Sequence, residues 1–116
     1  MQSLNAFWSS FGLVAYDEAT VSEEAQLPYI TYTAADDDFG RSVSLTASVW
    51  YRSYSWEDIT KKVEEISERI TRGGVIVPYD GGAMLIRKGS PFSQRMRDEN
   101  DTIRRIYINV EIEFLS

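Results

Sequence analysis

The segment Ser42–Ile70 reads SVSLTASVWYRSYSWEDITKKVEEISERI, and its hydrophobic period changes in mid-course. From Arg41 to Arg52 the alternation is strict. Val43, Leu45, Ala47, Val49 and Tyr51 fall on one face, and Ser42, Ser44, Thr46, Ser48 and Trp50 on the other, the period of a strand with one buried side. From Trp56 the period lengthens. Trp56, Ile59, Val63, Ile66 and Ile70 recur at intervals of 3, 4, 3 and 4, which predicts a helix over about Trp56–Arg72 with one apolar stripe facing a sheet. Ser55 suits the N-cap, with Asp58 completing an approximate capping box. Glu57–Lys61, Asp58–Lys62, Glu65–Arg69 and Glu68–Arg72 are i,i+4 pairs with the acid first. Each stabilises a helix by roughly 0.2–0.5 kcal/mol, so the charge run reads as a solvated face. Gly73 and Gly74 end the helix.

Working outward, the pattern returns to period two at the C-terminus. Ile106, Ile108, Val110, Ile112 and Phe114 alternate with Arg105, Tyr107, Asn109, Glu111 and Glu113, giving a second long strand over Ile103–Leu115. Between helix and strand, Val75–Val77 is a short apolar strand stopped by Pro78. Asp80, Gly81 and Gly82 form a turn, and Ala83–Lys88 is another strand. Gly89–Asp101 is polar and reads either as a loop or as an extended hairpin. Toward the N-terminus, Pro28 opens the strand Tyr29–Thr33, and residues 17–27 read as an acidic loop. Leu4, Phe7, Trp8 and Phe11 share one face of a short helix stopped by Gly12, which either caps the edge of the core or docks into a neighbour. The whole predicts a single α+β domain over residues 1–116. Its antiparallel sheet has four to five strands packed on one long amphipathic helix, with a short N-terminal helix in addition. Leu45, Val49, Ile59, Val63, Ile66, Ile108, Val110 and Ile112 are the expected shared core.

The composition narrows the chemistry. The chain has 116 residues, 43% hydrophobic and 26% charged, with no Cys and no His. Disulfides, thiolate or imidazole metal sites, Cys nucleophiles and His-dependent triads are all excluded. Any metal would need oxygen ligands, and Asp36, Asp37 and Asp38 form the one acidic cluster of that kind. Three adjacent acids cannot all point inward and EF-hand spacing is absent, so the cluster reads as a solvated turn. No phosphate loop accompanies Gly73-Gly74 or Gly81-Gly82, and Ser42, Ser44, Ser48 and Ser53 have no His as base. The expectation is a protein that is not an enzyme and needs no cofactor or metal. No segment is long enough to cross a membrane, and no basic residue precedes the apolar run Leu4–Tyr16 as it would in a signal peptide.

Charge is divided along the chain. Residues 1–40 hold seven acids and no Lys or Arg, whereas residues 41–116 hold twelve bases and eleven acids, for a net charge of −6. That balance opposes tight binding to duplex DNA and to anionic membranes. Arg87, Lys88, Arg95, Arg97, Arg104 and Arg105 gather half the basic residues into 19 positions, with Phe92 and Met96 among them. Read alone, this is a nucleic-acid strip with a stacking aromatic or a charged loop between strands. Read with the acidic first third, it makes the molecule self-complementary, and head-to-tail contacts of that kind close into rings. Trp50, Phe92, Arg95, Met96 and Arg97, with Asp36, Asp37 and Asp38 on the acidic side, are therefore the candidate subunit or partner contacts.

The order of these features resembles the tail terminator, or tail completion, proteins of long-tailed bacteriophages. The resemblance rests on the aromatic helix Leu4–Phe11 followed by Gly12, and on the acidic linker running into Leu27-Pro28-Tyr29-Ile30-Thr31-Tyr32. The strand Ser42–Arg52 then feeds the helix at Ser55-Trp56. The Gly73-Gly74 break, the short hairpin and the strand Arg105-Ile106-Tyr107-Ile108-Asn109-Val110-Glu111 complete it. It covers nearly the whole chain, but none of its pieces is a chemical signature. It implies an α+β protein of the virion tail, assembled in the bacterial host cytoplasm. There it would form a hexameric ring at the head-proximal end of the tail tube. The implied partners are further copies of itself, the tail tube protein and the head connector or completion protein, with genomic DNA passing through unheld and no membrane. The resemblance brings no catalytic residues. Another small neck or tail component is the neighbouring alternative. A small soluble enzyme or ligand-binding domain with an oxygen-ligand metal loop is the alternative of another class, which a deep enclosed pocket would mark.

Overall fold

The computed structural model describes residues 2–33, 42–79 and 81–115. Helix α1 (Gln2–Ser9) leads to strand β1 (Val14–Asp17), and β2 (Tyr29–Tyr32) and β3 (Ser42–Arg52) follow. Helix α2 (Glu57–Arg69) comes next, and β4 (Val75–Tyr79), β5 (Gly82–Met96) and β6 (Ile103–Leu115) complete the chain. The strands form one sheet in the order β1-β2-β3-β6-β5-β4, with β1 parallel to β2 and every other pair antiparallel.

This corrects the sequence-based expectation of a four-to-five-stranded antiparallel sheet on one long helix. About half of the molecule is strand, in a single curled, mixed, six-stranded sheet, and the helices have only 8 and 13 residues. Three local causes account for the difference. β1 lies in the apolar run after Gly12, and four residues are too few to display a period of two against that background. Gly12 adopts φ +85°, which redirects the chain there. β4 does not stop at Pro78 but pairs it with Ala83, as an outer strand can, where no ladder bond needs the missing N–H. The stretch after Lys88 is neither loop nor separate hairpin but the continuation of β5. The residues Gly89–Phe92 stand opposite Asn109 alone, a bulge closed by Asn109 Nδ2 donating to the Pro91 carbonyl at 2.9 Å.

The inner face of the sheet and both helices share one core. Leu4, Phe7, Trp8, Phe11, Ile30, Val49, Ile59, Ile66, Ile70, Met84, Ile86, Ile108, Val110 and Ile112 are all buried in it. Of the core expected from the sequence, only Leu45 is partly exposed, though it packs against the same cluster. The N-terminal aromatics are thus packed at home. The Phe7 ring meets Trp8 and Phe11 edge-on, at centroid separations of 5.1 and 5.4 Å. Helix α2 lies over β3 and β6, while α1 packs against β1, β2 and β4 and so spans the two ends of the curled sheet.

The charges on α2 depart from the i,i+4 scheme. Glu57–Lys61 forms at 3.2 Å, but Lys62 turns to Glu65 and donates to the Phe11 carbonyl at 2.6 Å, tying α2 to the end of the N-terminal segment. Ser55 keeps its capping role, its Oγ accepting from the Glu57 N–H at 3.0 Å, although Trp56 occupies the cap position itself. Tyr51 packs beside this helix. Burial, and after it the charges of Asp58 and Glu65, hold its phenol above the ordinary value of 10.0.

Candidate assembly surface

The margins of the sheet are treated differently. Along β1, α1 closes the margin. Asn5 Nδ2 donates to the Ala15 carbonyl and to the Tyr32 hydroxyl, each at 3.0 Å, so a backbone acceptor of β1 is occupied from the side. At the opposite end, β4 pairs only with Gly82–Ile86 of β5 and itself lies against α1. Beyond Ile86, β5 runs on through Met96 with β6 on one side and, among the described residues, no strand on the other. Ser93, Gln94 and Arg95 are exposed in succession, although a strand points successive side chains to opposite faces. Both faces of the sheet are thus open at this stretch, and on the side away from β6 its backbone groups have no strand partner among the described residues.

A groove of about 340 Å³ runs beside this edge, between α2 and β5. Val63, Phe92 and Ile106 supply its apolar floor, and Thr60, Glu64, Ser67, Ser93 and Arg95 its polar walls. Phe92 is half-buried against the core, with Lys88 Nζ 5.3 Å from its ring centroid and bonded to Ser67 Oγ at 2.7 Å. Arg95 stacks on Trp56 at 4.7 Å, and Arg104 approaches the same ring at 5.3 Å. Arg104 also donates to the carbonyls of Asp101 and Tyr54, at 2.7 and 2.9 Å. Further along the edge, a solvent-open depression of about 580 Å³ gathers Thr71, Arg72, Arg87, Lys88 and Glu111. None of Arg72, Arg87, Lys88 and Arg95 makes an ion pair among the described residues.

The outer face carries a band of its own. Tyr16 meets Tyr29 edge-on at 5.6 Å, Tyr29 meets Trp50 at 6.3 Å, and the Arg105 guanidinium lies 4.5 Å from Trp50 and 5.6 Å from Tyr107. Two hydrogen bonds pin the band to the strands beneath: Trp50 Nε1 donates to Thr31 Oγ1 at 2.9 Å and Arg105 Nε to Ser48 Oγ at 3.0 Å. Ser48 is buried below it.

The candidate contacts read from the sequence therefore separate. Phe92 and Arg95 come together beside the open edge. Trp50 lies on the other face of the sheet, held by Thr31 and Arg105. Met96 stands opposite Arg105 in the register, and Met96 and Arg97 both line the cleft at the tip of the β5–β6 hairpin. Asp36, Asp37 and Asp38 lie outside the described residues. The basic cluster is likewise not one strip. Lys88, Arg95 and Arg104 serve the helix side, and Arg105 belongs to the outer band. Trp56 as the ring between two arginines, and Asn5 as the seal on β1, were not anticipated from the sequence, since both arise from pairings between distant segments. Among the described residues no three acids converge as a metal site would require, and no helix is long and apolar enough to cross a membrane.

No family model and no curated protein matches the chain. A solved structure does share the fold: a chain in the virion of a native gene transfer agent particle superposes with a TM-score of 0.65 at 16% identity. The match covers 99% of this chain and 90% of that one, so it takes in the whole sheet and both helices.

Proposed function

We propose that the protein is a structural component of a phage-like particle that works by assembly and not by catalysis. The observation that carries this reading is the fold shared, end to end, with a chain of a gene transfer agent virion. The surface supports it: a long unsealed strand edge with apolar and basic side chains is suited to contact with another subunit. The depressions are open and shallow, without the convergent polar groups of an enclosed ligand site.

Within that class we place the chain at the head-proximal end of a tail tube. The feature order along the sequence favours this position, shared by tail terminator proteins. In this reading copies close into a ring of six, which stops growth of the tube and offers a surface to the head connector or completion protein. The net charge of −6 suits a channel through which DNA passes without being gripped. The ring would belong to the tail of the virion, after assembly in the host cytoplasm. The test adds purified protein to tail tubes growing from purified tube protein. Tube length should become fixed, with a ring visible on one end by electron microscopy. Tubes that keep growing with bare ends would overturn the terminator role in favour of another neck or tail position.

A further inference from the structure

We propose that the open edge of β5, Lys88–Met96, receives the acidic connection Asp17–Glu24 of a second copy of this chain. The inference rests on the self-assembly reading above and supplies its contact. Three observations converge on it. First, among the described residues this is a long stretch of sheet margin that neither a strand nor α1 covers, whereas β1 and β4 both lie against α1. Second, the edge is basic: the cations of Lys88–Met96 are held by neutral groups, and Arg87 next to them stands opposite Glu111 in the register without an ion pair among the described residues. Lys88 bonds to Ser67, and Arg95 stacks on Trp56. Arg87 has a buried Nε with no partner, and Arg72 stands exposed beside it. Third, β1 ends in Asp17 and the connection after it carries Glu18, Glu23 and Glu24, and no base occurs before residue 41. Glu18, Glu23 and Glu24 are all exposed.

Charge complementarity within a single sequence points to another copy as the partner. β1 stands four places from β5 in the strand order, with β2, β3 and β6 between them, so the acidic and basic segments belong to separate strands of one molecule. Donor and receptor surfaces therefore differ, and each copy presents one of each. Such a heterologous contact propagates and closes into a ring when its rotation allows. The groove sets the polarity of docking. Glu64 lies on its α2 wall and repels acids, so incoming carboxylates are directed to the β5 side, where Arg95 and Lys88 stand. The half-buried Phe92 ring offers apolar area for the Val21 side chain between the acidic residues. The bulge and Pro91 break the edge into short runs. That prevents indiscriminate extension of the sheet while leaving Ser93–Met96 regular.

The absence of cysteine from the chain makes the test clean. Ser93→Cys and Glu23→Cys proteins, mixed and oxidised, should form mixed dimers well above the yield of a control pair, Ser93→Cys with Glu68→Cys on the solvent side of α2. The doubly substituted chain should give a ladder that stops at the size of a closed ring. In parallel, Lys88→Glu with Arg95→Glu should raise the concentration needed for assembly by about tenfold or more, and mixing with Glu23→Lys/Glu24→Lys protein should restore association. Thermal unfolding of each variant, compared with the parent, checks that the fold survives. Larger species in sedimentation without preferential Ser93–Glu23 cross-linking would overturn this contact and leave self-assembly standing. A parent chain that remains monomeric at every concentration and on tube ends would overturn both.

Discussion

The β1 margin and the distal half of β5 are made of the same backbone and treated in opposite ways. At β1, Asn5 donates to the Ala15 carbonyl, and Leu4, Phe7 and Trp8 anchor the helix that carries it. At β5, beyond the last pairing with β4, no strand of the described residues lies alongside, and Ser93, Gln94 and Arg95 stand exposed between the half-buried Phe92 and Met96. A sealed margin stabilises the protomer. An unsealed one costs little in the free chain and holds its hydrogen-bonding groups for a partner. Substitutions at the first should thus be felt in unfolding, and at the second in assembly.

The largest effect belongs to Trp8→Ala, which removes the biggest side chain of the seal from a fully packed site. The loss should be about 3–5 kcal/mol, read from denaturant unfolding, and a loss below about 1 kcal/mol would mean that α1 contributes little to the fold. Ile66→Ala, beneath the centre of α2, should cost roughly 2–5 kcal/mol by the same cavity argument. Asn5→Ala leaves the Ala15 carbonyl and the Tyr32 hydroxyl without their partner, for about 1–3 kcal/mol. It should also speed amide exchange in β1 and β2 ahead of the rest of the sheet. At the open margin Arg95→Ala loses only the contact with Trp56, about 0.5–1 kcal/mol at an exposed site, so its thermal midpoint should stay near that of the parent.

The smallest effect is confined to alkaline solution. The Tyr51 phenol is held above its ordinary value, chiefly by burial, so the unfolded chain loses this proton before the folded one does. Its contribution to stability is complete below pH 10.0 and falls as the pH rises through the folded value. Tyr51→Phe should therefore leave neutral stability nearly unchanged and flatten the decline above pH 10.0. An unchanged alkaline limb would assign the decline to other groups.

Long periodic segments were legible in the sequence and short or interrupted ones were not. β3, α2 and β6 each repeat their period often enough to fix type and buried face, and Val49, Ile59, Ile66, Ile108 and Ile112 lie where the pattern puts them. β1 fails because four residues beside an aromatic helix carry no distinct period, and β5 fails because Gly89 and Pro91 suspend its alternation at the bulge. Those two strands form the contrasting margins, so the part of the fold bearing on assembly was the part hardest to read. The charge asymmetry was visible directly. What composition does not carry is the sheet order that divides the basic cluster, setting Arg105 on one face and Lys88 and Arg95 on the other. For the same reason Trp50 and Phe92, both half-exposed aromatics, look equivalent in the sequence and stand on opposite sides of the sheet.

If the open margin of β5 is the site of assembly, amide hydrogen exchange of dilute and assembled protein reports it residue by residue. In the dilute chain, the amides of Ser93–Met96 that point away from β6 should exchange within the fastest class, while those of β1 are protected beside α1. On assembly, protection should rise at Lys88–Met96 and across Glu18–Glu24, with Val14–Tyr16 of β1 and all of β4 unchanged. Protection gained on the outer band of Tyr29, Trp50 and Tyr107 instead, with Lys88–Met96 still exchanging freely, would contradict it.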